Sequence, residues 1–242
     1  MKMTVEGVIV SELDWKESSR IINVVTKEYG KIGMIAKGAR QLKSKLRTGT
    51  MNLTHGCFHI YYKEGKLSIL TEVDVINDYP NIKNNLTKLA TATYIIDVFD
   101  QVIKHEFEEA WYDDFIATLN KIDEGYDTTV ITSIFELKVM RIMGIMPELN
   151  SCITCGDKNS IVTFSIAKGG FVCNECTELD QIFSEKTIKL LRMLSYVDIA
   201  KITKLDIKPE IVKELDLIIS QYFEEYSGLY LNSKKMMDKL SV

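Results

Sequence analysis

The pattern of hydrophobic and polar residues changes near residue 80, and this change divides the chain into two regions. Before it, short runs rich in β-branched residues alternate with turn-forming residues, which is typical of strands. Two glycine-containing segments, 28–31 and 63–66, predict hairpin turns with glycine at a position that requires positive φ. Short strands of this kind suit a small closed barrel. The predicted strands lie at 8–10, 20–26, 32–36, 58–62 and 67–71.

After residue 80, apolar positions recur with the period of an α-helix. The stripes begin at Leu86, Trp111 and Val130 and predict three core helices, with the third at the centre. Beyond residue 176 the pattern predicts one helix at about 184–195 and a longer one at about 209–226. Pro209 fits a first helical position and Gly228 fits a C-terminal stop.

Two Cys-x-x-Cys pairs interrupt the helical region, with Cys152 and Cys155 in the first and Cys173 and Cys176 in the second. Each pair offers two sulfur ligands, and the seventeen residues between the pairs suit a hairpin that brings them together. The spacing predicts a four-thiolate zinc site in a small ribbon. Such a site has no open coordination position, so the zinc would be structural. The ribbon is predicted from a strand at 161–166, a turn at 168–170 and a return strand at 171–172.

A thioredoxin-like redox pair and a disulfide framework are the alternatives for these cysteines. A redox enzyme usually needs one pair in a βαβ context, whereas this chain has two pairs without such an alternation. Disulfides require an oxidising compartment, which nothing else in the sequence indicates. The first residues lack the apolar core of a signal peptide, and no stretch approaches the roughly 20 apolar residues of a membrane span. We therefore expect a cytoplasmic protein.

Charge is distributed unevenly in this chain of 242 residues, whose net charge is −4. Residues 1–50 carry ten Lys and Arg against five Asp and Glu, a net of +5, so the rest carries −9. The segment 37–47, which we call the basic loop, has five cations and no carboxylate. A run of charges is often only solvated, but beside barrel strands it suits a groove that contacts phosphates. The predicted DNA contacts are Lys37, Arg40, Lys43, Lys45 and Arg47, extended by Arg20 and Lys31 on or beside neighbouring strands.

Aromatic residues of the fourth predicted strand are candidates for base stacking, although alternation alone does not decide which face outward. They are Phe58, Tyr61 and Tyr62. Three residues at alternate positions of the same strand have side chains that bind metals: His55, Cys57 and His59. No fourth ligand is close in sequence, and half-buried strands often carry such residues, so we expect no metal there.

Motifs of common enzyme classes are missing. The segment that begins at His105 has Glu109 where the second histidine of a zinc protease should stand. A zinc deaminase needs His-x-Glu before its cysteine pair, and ATP turnover needs a phosphate-cradling glycine loop; the sequence has neither. The carboxylates at 108–109 and 113–114 fit the solvated face of a helix. We expect no enzymatic activity.

Several segments, taken in order, resemble the RecO family of bacterial recombination-mediator proteins. They are VEGVIV at 5–10, GMIAKGAR at 33–40 with Lys43-Ser44, LTE at 70–72, RIMGIMP at 141–147, CITCG at 152–156 and GGFVC at 169–173. Together they cover nearly the whole chain. Because some members of the family lack the cysteines, this chain resembles its zinc-bearing branch.

The resemblance implies an α+β fold with an OB-fold barrel at 1–79, a helical domain at 80–242 and a zinc module at about 150–178. It implies a non-enzymatic role: binding single- and double-stranded DNA, annealing complementary strands, and working with RecR to help RecA displace single-strand-binding protein. It places the protein in the bacterial cytoplasm, on the nucleoid when bound to DNA, with no membrane partner. The alternative is a zinc-ribbon scaffold that binds proteins without contacting DNA. If the basic loop does not bind DNA, Lys234 and Lys235 are the next candidates.

Overall fold

The computed structural model describes residues 1–104, 107–178 and 181–240, and the chain divides into two compact units. The first unit contains Met1–Leu86 and Phe99–Ile116, and the second contains Thr87–Val98 and Ala117–Val242. Within the described ranges, every helix is too short or too polar to span a membrane.

The first unit contains a closed barrel of five strands in the order β1-β2-β3-β5-β4. Neighbouring strands are antiparallel except β3 and β5, which are parallel. This confirms the predicted OB-fold barrel. The strands are β1 Lys2–Trp15, β2 Ser19–Thr26, β3 Gly30–Ala36, β4 His55–Tyr61 and β5 Ser68–Asn77.

Alternation along these strands sends one set of apolar side chains into the barrel interior. Two glycines lie directly opposite each other where β1 pairs with β4, Gly7 and Gly56. A Cβ atom at Gly7 would lie 2.5 Å from Cγ1 of Val24, and one at Gly56 would lie 2.7 Å from the carbonyl oxygen of Asp74. Only glycine therefore fits at either position. The core consists of Val5, Ile9, Ile22, Val24, Ile32, Met34, Ala36, Ala39, Phe58, Ile60 and Leu70.

Both predicted hairpin turns are present, with Gly30 at φ +61° and Gly65 at φ +64°. The strands β1 and β5 are longer than the hydrophobic pattern predicted. The additional residues 11–15 of β1 are exposed and need no apolar alternation, since backbone hydrogen bonds hold them in the sheet.

All five predicted helices are present, together with three short helices that the apolar pattern did not show. Two details of the stripes were wrong. Leu86 is 65% exposed because it is the first residue of its helix. Tyr112 is buried where Trp111 was expected, since Tyr112 lies three residues before Phe115 and shares its face. The helices are α1 Leu46–Gly49, α2 Pro80–Lys83, α3 Leu86–Val102, α4 Glu109–Glu124, α5 Thr128–Ile142, α6 Glu185–Leu194, α7 Pro209–Ser227 and α8 Asn232–Leu240, with a 3-10 turn at Ile199–Lys201.

Helix α5 lies at the centre of the second unit, as predicted, because it is apolar on nearly every face and buried along most of its length. Asp127 caps its start by accepting a hydrogen bond from the backbone N–H of Val130 at 3.0 Å. Helix α7 packs against α5. It begins at Pro209 and is followed by Gly228 at φ +62°, both as expected.

The predicted ribbon is also present in the second unit, as the antiparallel strands β6 Ile161–Ser165 and β7 Gly170–Cys173. Its apolar side chains pack on α7, where Phe164 meets the ring of Tyr222 edge-on at 5.5 Å between centroids. The hydroxyl of Tyr226 donates to the carbonyl of Ile166 at 2.8 Å. These contacts hold the ribbon against α7.

Candidate nucleic-acid interface and metal centre

The four cysteines of the two pairs form one cluster, in which all the Sγ atoms lie within 4.8 Å of one another. In a tetrahedral site with metal–sulfur distances of about 2.3 Å, neighbouring sulfurs are about 3.8 Å apart. The Sγ atoms of Cys155 and Cys173 are 3.6 Å apart. All five cysteines of the chain lie in the described ranges and are free thiols. The cluster can hold one metal ion.

The two pairs lie on turns with the same hydrogen-bonding pattern. The backbone N–H of Gly156 donates to the carbonyl of Cys152 at 2.8 Å, and that of Thr177 donates to the carbonyl of Cys173 at 3.0 Å. Gly156 has φ +79°, which favours glycine directly after the first pair. Cys152 and Cys173 are buried against Val172. The backbone hydrogen bonds of these turns therefore bring the sulfurs of the two pairs together.

The neighbouring groups shift the acidities of the clustered thiols in opposite directions. Burial opposes ionisation of Cys152, yet hydrogen bonds from the backbone N–H groups of Cys155, Cys173 and Thr154 outweigh it and lower its pKa to about 6. The sulfurs of Cys173 and Cys155 raise the pKa of Cys176 to about 12. Cys152 therefore ionises readily, whereas hydrogen bonds among the sulfurs hold a proton on Cys176. A metal ion bound to the cluster would displace that proton.

The histidines of β4 each pair with a carboxylate. Nε2 of His55 lies 3.1 Å from a carboxylate oxygen of Glu6, and Nε2 of His59 lies 2.8 Å from one of Asp74. Burial raises the pKa of the Cys57 thiol, which lies between them in sequence. Among the described residues, the four clustered cysteines are the only group of three or more His, Cys, Asp and Glu placed to share a metal.

The acidic start of α4 has a partner in the barrel unit. Nζ of Lys27 lies 3.0 Å from Asp113 and 3.4 Å from Glu109, and these carboxylates, Asp113 foremost, raise the pKa of Lys27. The nearby His105 and Glu106, which begin the protease-like segment, lie outside the described residues. Glu109 and Asp113 therefore act here as ion-pair partners.

The basic loop leaves the barrel after β3 and reaches β4 through turns and the short helix α1. Ala39 is buried in the barrel core and anchors the loop. The backbone N–H of Arg40 donates to the carbonyl of Ser18 at 2.9 Å, which ties the loop to the turn between β1 and β2. All five predicted loop cations are exposed. The loop is thus anchored at Ala39, with Leu46 also packed against the core, and its charged residues are open to solvent.

Arg20 and Arg40, both predicted DNA contacts, have protein partners. Nε of Arg40 lies 3.2 Å from Asp14, and its guanidinium also donates to the carbonyl of Lys16 at 3.2 Å. Arg20 lies 3.4 Å from Glu12 and 3.6 Å from Asp14, and its side chain is only 12% exposed. These two arginines join the strands at one end of the barrel.

The third paired cation is Lys31, whose Nζ lies 2.6 Å from Asp100. The fallback candidate Lys234 is also partly engaged, since its Nζ lies 3.9 Å from Glu136 and 5.2 Å from the ring centre of Tyr94. Lys235, next to it, is exposed. Lys31 and Lys234 thus contact protein groups, whereas Lys235 is open to solvent.

Four predicted contacts have no carboxylate partner among the described residues. In the part of the chain that the structure describes, no carboxylate lies within 4.0 Å of Lys37, Lys43, Lys45 or Arg47. Their charges are fully available to an external anion. The sequence indicated the positive cluster but not which of its members would be neutralised.

The candidate aromatic residues have different environments. Phe58 is buried in the barrel core and is excluded as a base-stacking residue. Tyr62 is half-buried and packs against that core, while Tyr61 is 48% exposed. Sequence analysis missed Trp15, which is 42% exposed at the end of β1. Its position directly before the turn between β1 and β2 could have indicated that the side chain is exposed.

Family profiles match both regions of the chain: "Recombination protein O N terminal" at residues 1–79 and "Recombination protein O C terminal" at 83–235. The DNA repair protein RecO of Halalkalibacterium halodurans is 34% identical over 97% of this chain and 94% of its own length. The DNA repair proteins RecO of Listeria monocytogenes and Bacillus pumilus are each 32% identical over 97% of this chain and 93% of their own. The chain therefore belongs to the RecO family of DNA repair and recombination proteins.

Proposed function

We propose that this protein binds single- and double-stranded DNA through its barrel and anneals complementary strands. With RecR, it helps RecA load on single-stranded DNA that is covered by single-strand-binding protein. Membership in the RecO family supports these partners, and the charges of the barrel support the DNA contact. No covalent bond changes in these steps, so the role is non-enzymatic. On DNA the protein lies at the bacterial nucleoid.

The observation that carries the proposal is the set of exposed cations on the basic loop. Lys37, Lys43, Lys45 and Arg47 have no carboxylate within 4.0 Å among the described residues, so no internal ion pair must break before they meet a phosphate. Each contact releases counterions from DNA, which favours binding at low salt. The paired cations Arg20, Arg40 and Lys31 extend the path only where a phosphate replaces a carboxylate partner.

Annealing follows from the same charges. Two complementary strands repel each other through their phosphates, and this repulsion slows their encounter. A loop of unpaired cations lowers the repulsion wherever it covers a strand. Because it contacts phosphates and not base edges, it favours no particular sequence.

We propose zinc as the metal of the cysteine cluster. A set of four thiolates in tetrahedral arrangement is the ligand set that zinc takes in structural sites. With every coordination position filled by sulfur, the metal has none left for water or substrate. Its role is to close the ribbon that packs on α7.

The experiment combines Lys37→Ala, Lys43→Ala and Lys45→Ala in one loop variant. Its matched control replaces Lys204, Lys213 and Lys239 with Ala, three exposed lysines of the second unit. We expect the loop variant to bind single strands and duplexes more weakly, to anneal strands more slowly and to load RecA less well with RecR. The control keeps these activities.

Two results contradict the proposal. If the parent protein has no salt-dependent affinity for any oligonucleotide, the chain is a scaffold that binds proteins without contacting DNA. If the parent binds DNA and the loop variant binds and anneals equally well, the basic loop is only solvated. The contact surface then lies elsewhere, with Lys234 and Lys235 as the next candidates.

A further inference from the structure

The four clustered cysteines differ in how far solvent can reach them. Cys152 and Cys173 are 2% and 1% exposed, Cys176 is half-buried, and Cys155 is exposed. The space beside Gly156, which follows Cys155, is also open, since a Cβ atom built there would have no neighbour within 4 Å. A small reagent in solution therefore meets Cys155 before the other three cysteines.

A second sulfur lies beside the exposed one. The Sγ atom of Cys173 is 3.6 Å from that of Cys155. A disulfide bond is about 2.05 Å long, so the two sulfurs need to approach each other by about 1.5 Å. The sulfur of Cys152 is instead held in its buried position by hydrogen bonds from backbone N–H groups of both pairs. These contacts favour Cys173 as the partner of Cys155.

We propose that Cys155 is a site of oxidation by hydrogen peroxide and that its oxidation releases zinc from the cluster. The sulfur of Cys155 attacks the peroxide, an S–O bond forms, the O–O bond breaks and hydroxide leaves, which gives a sulfenic acid. The sulfur of Cys173 then attacks that of Cys155, an S–S bond forms, the S–O bond breaks and a second hydroxide leaves. The two sulfurs lose two electrons in total, and the peroxide gains them.

The inference rests on the proposed zinc and adds a reaction that removes it. A disulfide between Cys155 and Cys173 takes away two of the four thiolate ligands. Cys152 and Cys176 alone do not complete a tetrahedral site, so the metal passes into solution. A thiol reductant regenerates the ligands, and zinc can then bind again.

The cluster is connected to the contact between the ribbon and α7. Lys168, in the turn between β6 and β7, donates from Nζ to the carbonyl of Cys176 at 3.1 Å. Two residues earlier, the carbonyl of Ile166 accepts a hydrogen bond from Tyr226 of α7. Cys173 is itself the last residue of β7. Loss of the metal should therefore loosen the ribbon where it meets α7, which makes its packing sensitive to peroxide.

The chain contains an internal reference for this reaction. Cys57 is a free, half-buried thiol outside the cluster, and burial raises its pKa. Little of it is thiolate at neutral pH, so it reacts slowly with peroxide. Preferential oxidation of Cys155 can therefore be measured against Cys57 in the same molecule.

The test treats the zinc-loaded protein with hydrogen peroxide. A zinc-binding dye measures the released metal, and mass spectrometry after alkylation of free thiols identifies the disulfide. We expect one zinc released for each Cys155–Cys173 disulfide, before Cys57 is oxidised. Trypsin should then cleave faster after Lys168. Dithiothreitol with added zinc should reverse both changes.

Two variants sharpen the test. Cys155→His keeps a fourth ligand of a kind that zinc accepts but has no sulfur at the exposed position. It should release zinc at least about ten-fold more slowly than the parent, because the remaining sulfurs are less accessible. Cys57→Ser should release zinc as the parent does. If Cys155→His fails to fold, labelling of the parent with dimedone, a probe of sulfenic acids, should still mark Cys155 first.

Several outcomes overturn the inference. If the parent keeps its zinc while Cys57 is oxidised, or if the disulfide joins Cys152 to Cys155, the proposed reaction is wrong and the proposed zinc site stands. If zinc-loaded Cys155→His releases its metal as fast as the parent, Cys155 is not the site of oxidation. If the parent contains no zinc, the proposed metal and the inference both fail.

Discussion

The cysteine cluster and the basic loop were both predicted from short sequence patterns, but the structure builds them in opposite ways. The four sulfurs lie within 4.8 Å of one another on turns held by backbone hydrogen bonds. The loop is anchored at Ala39, and its lysines lie exposed without carboxylate partners among the described residues. Ligands that face each other hold a structure together. Charges without partners remain available to another molecule.

The same contrast holds among the cations of the barrel unit. Arg20 lies between two carboxylates and is 12% exposed, whereas Lys43 is exposed and meets no carboxylate among the described residues. Both were predicted to contact DNA. We therefore expect Arg20 to affect mainly the stability of the barrel and Lys43 to affect mainly the affinity for DNA.

The largest effect is expected from Cys173→Ser, which removes a ligand that the remaining three sulfurs cannot replace. Structural zinc contributes about 10–16 kcal/mol to small zinc-dependent folds, and much of that contribution should be lost. Metal analysis should give one equivalent for the parent and none for the variant. DNA affinity should change much less. Cys57→Ser is the control and should keep the metal; equal metal content in Cys173→Ser and the parent would refute the site.

A smaller effect is expected from Arg20→Ala. The substitution removes a partner of Glu12 and Asp14 and frees the carbonyl of Thr50, which accepts a hydrogen bond from Arg20 at 3.1 Å. Because Thr50 is fully buried, leaving its carbonyl unsatisfied costs about 1–3 kcal/mol, and barrel stability against urea should fall by about that amount. Lys43→Ala should stay within about 0.5 kcal/mol of the parent. If the two variants were equally stable, Arg20 would not have the structural role that separates it from Lys43.

The smallest effect concerns His55, the first residue of β4. Burial lowers its pKa, and Glu6 opposes this only in part. Because the folded-state pKa lies below the unfolded value of 6.5, the neutral form stabilises the barrel fully above that pH and progressively less as pH falls through the folded-state pKa. His55→Gln should flatten the dependence of urea stability on pH below 6.5. If the stability of the parent and of His55→Gln changed equally with pH, titration of His55 would not be the cause.

Local patterns were sufficient for the main helices, the strand positions and the sulfur cluster. Alternation and period predicted the strands and helices, and spacing within the chain predicted the sulfur cluster, because these depend on neighbours in sequence. The partners of Arg20, Arg40 and Lys31 could not be predicted in this way. Asp14 meets both arginines only once β1 and β2 pair, and Asp100 is 69 residues from Lys31. The burial of Phe58 could not be predicted either, because alternation divides a strand into two faces but does not show which face lies inside the barrel.

The salt dependence of DNA binding tests the central claim most directly. For the parent and the variant lacking Lys37, Lys43 and Lys45, log affinity is plotted against log salt concentration. Each lost phosphate contact lowers the slope by about 0.7 for a single strand and about 0.9 for a duplex, so three contacts predict decreases of about 2.1 and about 2.7. An unchanged slope in the loop variant would contradict the assignment of the basic loop as the surface that binds phosphates.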